Sequence, residues 1–296
     1  MDEQFAEGNF LGLPDHGGPA DVVVASVPYE LTTSYGQGTL EGPAACIEAS
    51  AQVELYDILL KEELPAGRVI RTVEPWDGEG ATLQEQLDGI GKYASEHYQS
   101  GAFPIFLGGE HGLLPGLLRG CPEKVTLIQI DAHADLREEL DGEPYSHACA
   151  IARSLDEGAL AVHQVGVRAY CQQEAILIEN DERIHTWFAR DIMSPFTGSK
   201  VWSGWLESIK NIDGPVHLTI DIDGLDGSLV PATGTPVPGG LNFWHVVETI
   251  ETVFANCDVI SADVNEIVPQ EDTPLTQFTA AMIATKIAAA HIATLR

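Results

Sequence analysis

Asp131, His133 and Asp135 occupy every second position of Asp131-Ala132-His133-Ala134-Asp135, and Asp221-Ile222-Asp223 repeats the spacing. In an extended chain, side chains two residues apart point to the same face. Each group therefore gathers carboxylates or imidazoles on one side, which is costly unless a positive charge compensates. A metal ion supplies that charge. A lone Asp-x-His-x-Asp is an ordinary polar turn. A second Asp-x-Asp and a further histidine, His111 in Gly108-Gly109-Glu110-His111, make metal ligation the better reading. The set contains carboxylate and imidazole but no thiolate. That favours Mn²⁺ over a zinc–cysteine site, with Zn²⁺, Co²⁺, Ni²⁺ or Fe²⁺ as substitutes. Six ligands, four of them carboxylates, suit two divalent ions that share bridging carboxylates and generate hydroxide near neutral pH.

These residues sit at the ends of short β-branched runs. Strand patterns occupy residues 21–27, 68–73, 103–107, 125–130, 161–167, 216–220 and 259–262. Helical patterns occupy 43–55, 83–97, 113–118, 147–155, 172–179, 201–209, 243–254 and 277–293. The alternation predicts an α/β fold, a mostly parallel sheet covered by helices on both faces. No repeat, low-complexity tract or linker divides the chain, so residues 1–296 read as one domain, with 1–20 a loose N-terminal extension. In such sheets ligands gather beyond the carboxyl ends of the strands. Four strand ends carry polar clusters: 103–107 leads to His111, 125–130 to Asp131, 216–220 to Asp221, and 259–262 to Asp263-Val264-Asn265-Glu266.

Composition narrows the partners. Asp and Glu number 45 against 15 Lys and Arg, a formal charge of −30. Such a polyanion is repelled by nucleic acid and anionic lipid and favours cationic ligands, although an acidic surface adapted to salt gives the same balance. The five cysteines (Cys46, Cys121, Cys149, Cys171, Cys257) are odd in number and lack a Cys-x-x-Cys pair. They read as reduced residues of a cytoplasmic protein. The first ten residues, MDEQFAEGNF, lack the pattern of a signal peptide. The apolar stretch 278–295 carries Lys286 and His291 and reads as a buried or amphipathic helix, not a membrane span.

Taken together, GGEH, DAHADL, DIDGLD and DVNEIVP resemble the arginase/agmatinase ureohydrolase family over residues 27–281. The upstream stretch Pro28-Tyr29-Glu30…Thr32-Thr33-Ser34-Tyr35-Gly36-Gln37-Gly38, followed by Gly42-Pro43 and Glu54-Leu55-Tyr56-Asp57, is similar to the agmatinase branch. The resemblance implies a three-layer α/β/α domain, two Mn²⁺ per chain and a homotrimer or homohexamer. It assigns one ion to His111, Asp131, Asp135 and Asp221, and the other to His133, Asp131, Asp221 and Asp223, with Asp131 and Asp221 bridging. It makes His147 a proton shuttle near the leaving amine and Glu266 the partner of the substrate guanidinium. Gly227 stands where the family often has Pro, and Asn265, Ile267 and Val268 also depart from its pattern. These differences touch no expected ligand and bear on substrate preference. The turn-rich run 231–240 lacks the spacing and lysine of a phosphate loop and reads as a wall of the mouth. The remaining histidines, His16, His97, His163, His185, His217, His245 and His291, lack a second ligand at useful spacing and read as structural.

The implied reaction is hydrolysis of a guanidino group to urea and an amine, with Asp135, His147 and Glu266 as catalytic residues. The loop 136–145 sets the expected substrate. Glu138, Glu139, Asp141 and Glu143 stand there against Arg137 alone, and the loop resembles the agmatinase version. An acidic rim repels an α-carboxylate, which favours agmatine, giving putrescine and urea in polyamine biosynthesis, or its aminopropyl derivative. Arginine, guanidinobutyrate held by an inward Arg137, and a formimino compound are the alternatives.

Overall fold

In Val22–Val27, Val22 and Val24 join a core with Ile283 and Ile287, whereas Ala25 and Val27 join a separate core with Leu87 and Ile90. Alternate residues thus bury against helices on opposite faces, which is why a parallel strand reads as a continuous apolar run. The computed structural model describes residues 6, 8–78 and 80–296. Along them lie β1 (Val22–Val27), α1 (Gly42–Ser50), β2 (Tyr56–Asp57), β3 (Glu62–Glu63), β4 (Ile70–Thr72), α2 (Leu83–Gln99), β5 (Phe103–Gly108) and α3 (Leu114–Gly120). There follow β6 (Thr126–Ile130), α4 (Ala150–Asp156), β7 (Ala161–Val167), α5 (Gln172–Asn180), β8 (Ile184–Phe188) and α6 (Ala189–Ile192). The last elements are α7 (Gly198–Ile209), β9 (Pro215–Asp221), α8 (Phe243–Asn256), β10 (Asp258–Asn265) and α9 (Leu275–Thr294).

Eight strands form one parallel sheet in the order β4-β1-β5-β10-β9-β6-β7-β8, while β2 and β3 form a separate antiparallel hairpin. Helices α1, α7, α8 and α9 bury against one face, and α2, α3 and α4 against the other. This is the expected three-layer α/β/α arrangement. The four strands whose ends carry the polar clusters are neighbours, β5-β10-β9-β6, at the centre of the sheet. β5 and β6 follow one another in the chain, yet β10 and β9 lie between them. The crevice at such a switch in strand order is where open α/β sheets bind ligands.

Helix α9 is buried over most of its length, with its alanines in the larger core and Lys286 paired with Asp57 (3.1 Å) and Glu251 (2.7 Å). Among the described residues, no helix is long and apolar enough to cross a membrane.

Several expectations need correction. β8 was not anticipated: as the outermost strand it is half-buried, and His185 and Thr186 interrupt its apolar pattern. The pattern at 147–155 is a 3₁₀ turn, His147–Cys149, followed by α4. Of the stretch expected to be a loose extension, residues 1–5 and 7 lie outside the described residues. Phe10, Leu11 and Leu13 are packed in the larger core, and Leu11 N donates to Ser50 Oγ at 2.7 Å.

Candidate functional site

The end of β5 turns sharply because two glycines allow it. A Cβ on Gly109 would lie 1.9 Å from Tyr29 O, and one on Gly108 would lie 1.9 Å from Asn265 Oδ1. The turn delivers His111 to the start of a 3₁₀ turn, where its backbone N–H donates to Glu266 Oε1 at 2.8 Å. On β6, regular pairing stops at Ile130, and Asp135 has a left-handed backbone with φ 54°. The extended geometry expected for 131–135 therefore fails at its last residue, although all three side chains still reach one region. Ala132 and Ala134 pack behind them, fully buried. Beyond β9, Asp221 Oδ1 accepts from Asp223 N at 2.9 Å, and Asp223 Oδ1 accepts from Ala132 N at 3.0 Å, so the two strand ends are joined.

Six side chains converge as two groups. His111 Nδ1 lies 2.9 Å from Asp135 Oδ2, 3.2 Å from Asp131 Oδ2 and 3.7 Å from Asp221 Oδ2. His133 Nδ1 lies 3.0 Å from Asp223 Oδ2 and 3.6 Å from Asp131 Oδ1. Asp131 belongs to both groups and offers one oxygen to each. His111 Nδ1 is buried and, despite these short distances, has no aligned hydrogen-bond partner. A buried ring nitrogen facing carboxylate oxygens, with no aligned hydrogen bond between them, is the arrangement a cation fills. The donor set fits a hard or borderline divalent metal.

Electrostatics support the fit. Burial, reinforced by the charge of Asp131, pushes Asp135 up to about 7. Burial and the charges of Asp223 and Asp131 raise Asp221 far above the carboxylate range. Burial opposes ionisation of Asp131 too, but the imidazoles of His111 and His133 outweigh it and hold that carboxyl low. Against burial, Asp223 and Asp131 lift His133 to about 11. Without a cation the cluster balances its charge by retaining protons, and a bound cation would displace them.

His147 stands above the cluster. Its N–H donates to Thr32 Oγ1 at 2.9 Å, and its Nε2 is 3.3 Å from Ser34 Oγ. Together with His133, Asp135 and Arg137 it lines a cavity of about 370 Å³. A larger groove of about 730 Å³ beside α1 is lined, among the described residues, by neither an imidazole nor an aspartate. Burial lowers the His147 pKa. Glu266 lies deeper, with Oε2 against Gly234, where a Cβ would come within 2.8 Å. Gly36 N donates to Gly234 O at 2.9 Å, which ties run 231–240 to the loop before α1.

The motifs hid three supports. Glu110, fully buried, accepts from Leu31 N (3.0 Å), Thr32 N (2.8 Å) and Thr32 Oγ1 (2.8 Å), so it secures the loop that holds His147. Its place in GGEH is the only sequence signal for it. Arg168 donates to the carbonyls of Gly166, Asp223, Gly224, Leu225 and Val237, clamping the Asp223 turn against run 231–240. Thr219, beneath His111, had no signal beyond its position two residues before Asp221.

A family model described as the arginase family matches residues 20–290. The N(1)-aminopropylagmatine ureohydrolase of Synechocystis is 35% identical over 282 residues, covering 90% of this chain and 88% of its own. The agmatinase of Pyrococcus horikoshii is 31% identical, covering 84% of each chain. The agmatine ureohydrolase structure from Thermoplasma volcanium superposes with a TM-score of 0.80 at 26% identity, covering 95% of this chain and 93% of its own. With its motifs at four adjacent strand ends and a family match across nearly its whole length, this chain belongs to the arginase family.

Proposed function

We propose that this protein is a binuclear manganese ureohydrolase that converts agmatine to putrescine and urea. The observation that carries the reading is Asp131, whose two oxygens face two separate histidine-containing groups. His111, Asp131, Asp135 and Asp221 would hold one ion, and His133, Asp131, Asp221 and Asp223 the other. Bound divalent cations supply Lewis acidity, which lets a water lose its proton near neutral pH.

The protein's own groups do the rest. Glu266, pushed up to about 8 by burial, ionises against the bound guanidinium and provides its counter-charge. Asp135 accepts a proton from the attacking water on a carboxylate oxygen and moves it towards the leaving nitrogen. His147, at the cavity wall, passes a proton to the departing amine. Burial keeps its imidazole neutral at pH 7, ready to take up a proton before giving it away. Assembly as a homotrimer or homohexamer and a cytoplasmic location belong to the same reading.

The substrate tail is read from the rim. Arg137 lines the cavity, but its Nε is 3.9 Å from Glu174 Oε2, so its charge is already faced by a carboxylate. That disfavours a second carboxylate from arginine or guanidinobutyrate. Aminopropylagmatine is the second reading, favoured by the name of the 35% identical relative. Urea release under saturating Mn²⁺ from agmatine, aminopropylagmatine, arginine and 4-guanidinobutyrate decides. Agmatine should show the highest kcat/KM. A higher value for aminopropylagmatine would transfer the assignment to it, and a higher value for either carboxylate would sink the reading of the rim.

A further inference from the structure

Parallel pairing of β9 with β10 sets three polar pairs on every second rung, and so on one face of the sheet: His217 with Ser261, Thr219 with Asp263, and Asp221 with Asn265. All six side chains are buried where a sheet interior is normally apolar. Such a ladder is costly unless its groups are satisfied and the arrangement has a use; Asn265 Oδ1 lacks a partner among the described residues.

The hydrogen bonds have one consistent direction. Asp263 is surrounded by donors on both oxygens. Its Oδ1 takes the Thr219 hydroxyl proton at 2.8 Å and an N–H of Asn265, and its Oδ2 takes the Nε2–H of His217. His217 Nδ1 then accepts from Ser261 Oγ at 2.6 Å, and Ser261 in turn accepts from Tyr98 at 3.0 Å. With its only proton committed to Asp263, Thr219 must act as an acceptor towards His111 Nε2, 2.9 Å away. Nε2 of His111 is thus held as the donor to Thr219, and Nδ1, which faces Asp135, Asp131 and Asp221 without an aligned hydrogen-bond partner, is the nitrogen left to ligate a cation.

We propose that Asp263, acting through Thr219, is a positioning residue that fixes the tautomer of His111 and so sets cation affinity in that half of the centre. The inference rests on the binuclear reading above. Partners behind a ligating histidine fix its ring and tautomer, and their loss typically lowers metal affinity about 10- to 100-fold.

Mn²⁺ binding isotherms on the chelator-stripped full-length chain test it. Wild type should bind at two sites. Thr219→Val keeps the shape but removes the acceptor, and should weaken one site by about 10- to 100-fold while leaving the other unchanged. Asp263→Asn should weaken the same site, and Thr219→Ser, which restores the hydroxyl, should recover it. Wild-type affinity at both sites in folded Thr219→Val or Asp263→Asn would overturn the inference alone, as would failure of Thr219→Ser to recover binding. A wild-type protein that binds no divalent cation would overturn the binuclear reading with it. Should the Val variant not fold, ¹⁵N NMR of histidine-labelled, Zn²⁺-loaded wild type gives the answer directly. His111 should ligate through Nδ1 and carry a slowly exchanging Nε2–H, and the opposite assignment would refute the proposal.

Discussion

The carboxylate of Glu266 accepts the backbone N–H of His111 at 2.8 Å, which joins the end of β10 to the end of β5. The group expected to face the guanidinium therefore also braces a metal-ligand candidate. Glu266→Gln separates the two roles, because an amide oxygen still accepts from His111 while the negative charge is gone. It should lower kcat/KM by about 100-fold or more with metal content unchanged. Glu266→Ala also strands the buried N–H and should destabilise the fold by about 1–3 kcal/mol. Steady-state kinetics beside urea unfolding would distinguish them, and full activity in the Gln variant would refute the assigned role.

Asp131 serves both groups, so Asp131→Asn should reduce bound Mn²⁺ from two equivalents per chain to less than one. His111→Ala and His133→Ala each leave the other imidazole in place and should weaken the two sites unequally. Elemental analysis after reconstitution measures this. Retention of two equivalents in Asp131→Asn would refute the shared-ligand arrangement.

The chemistry was legible because it is written at period two and at strand ends. Asp131, His133, Asp135, Asp221 and Asp223 could be grouped from alternation, and His111 and Glu266 could be brought to the same rim from their strand ends, while the role of each came only from the family resemblance. What escaped depends on contacts distant in sequence. Arg168 is recognisable only by the five carbonyls around it, drawn from β7, the Asp223 turn and run 231–240. Thr32 acts through Glu110, 78 residues away. β8 escaped for a different reason: an edge strand with one neighbour needs no continuous apolar run.

His147 is held by Thr32, so two substitutions probe it from different sides. His147→Ala should depress kcat more than it alters KM, reshape the pH profile, and respond to added imidazole. Thr32→Val removes the acceptor for His147 N and the hydroxyl bonded to Glu110, and should lower kcat about 10-fold or more with metal content intact. Unchanged turnover in both variants would remove His147 from the reaction.

Two histidines outside the centre should shape acid stability. Burial pushes His163 and His291 down to about 4, the latter stacked on Phe103 with centroids 4.2 Å apart. An unfolded histidine titrates near 6.5. Between about 4 and 6.5 the unfolded chain thus holds protons that the folded chain does not, and this contribution to stability falls with falling pH. The buried carboxyls of Asp135, Glu110 and Glu266, pushed up to about 7, 7 and 8, act in the opposite sense in the metal-free protein. The wild-type slope therefore mixes both effects, and only the difference between wild type and variant isolates a histidine. His291→Phe preserves the stack without the titration. Urea midpoints of metal-free protein at pH 6.5 and pH 5 should show His291→Phe gaining on wild type as the pH falls, and His163→Phe should do the same. A difference that stays constant with pH would mean that these rings accept protons in the folded state as readily as in the unfolded one.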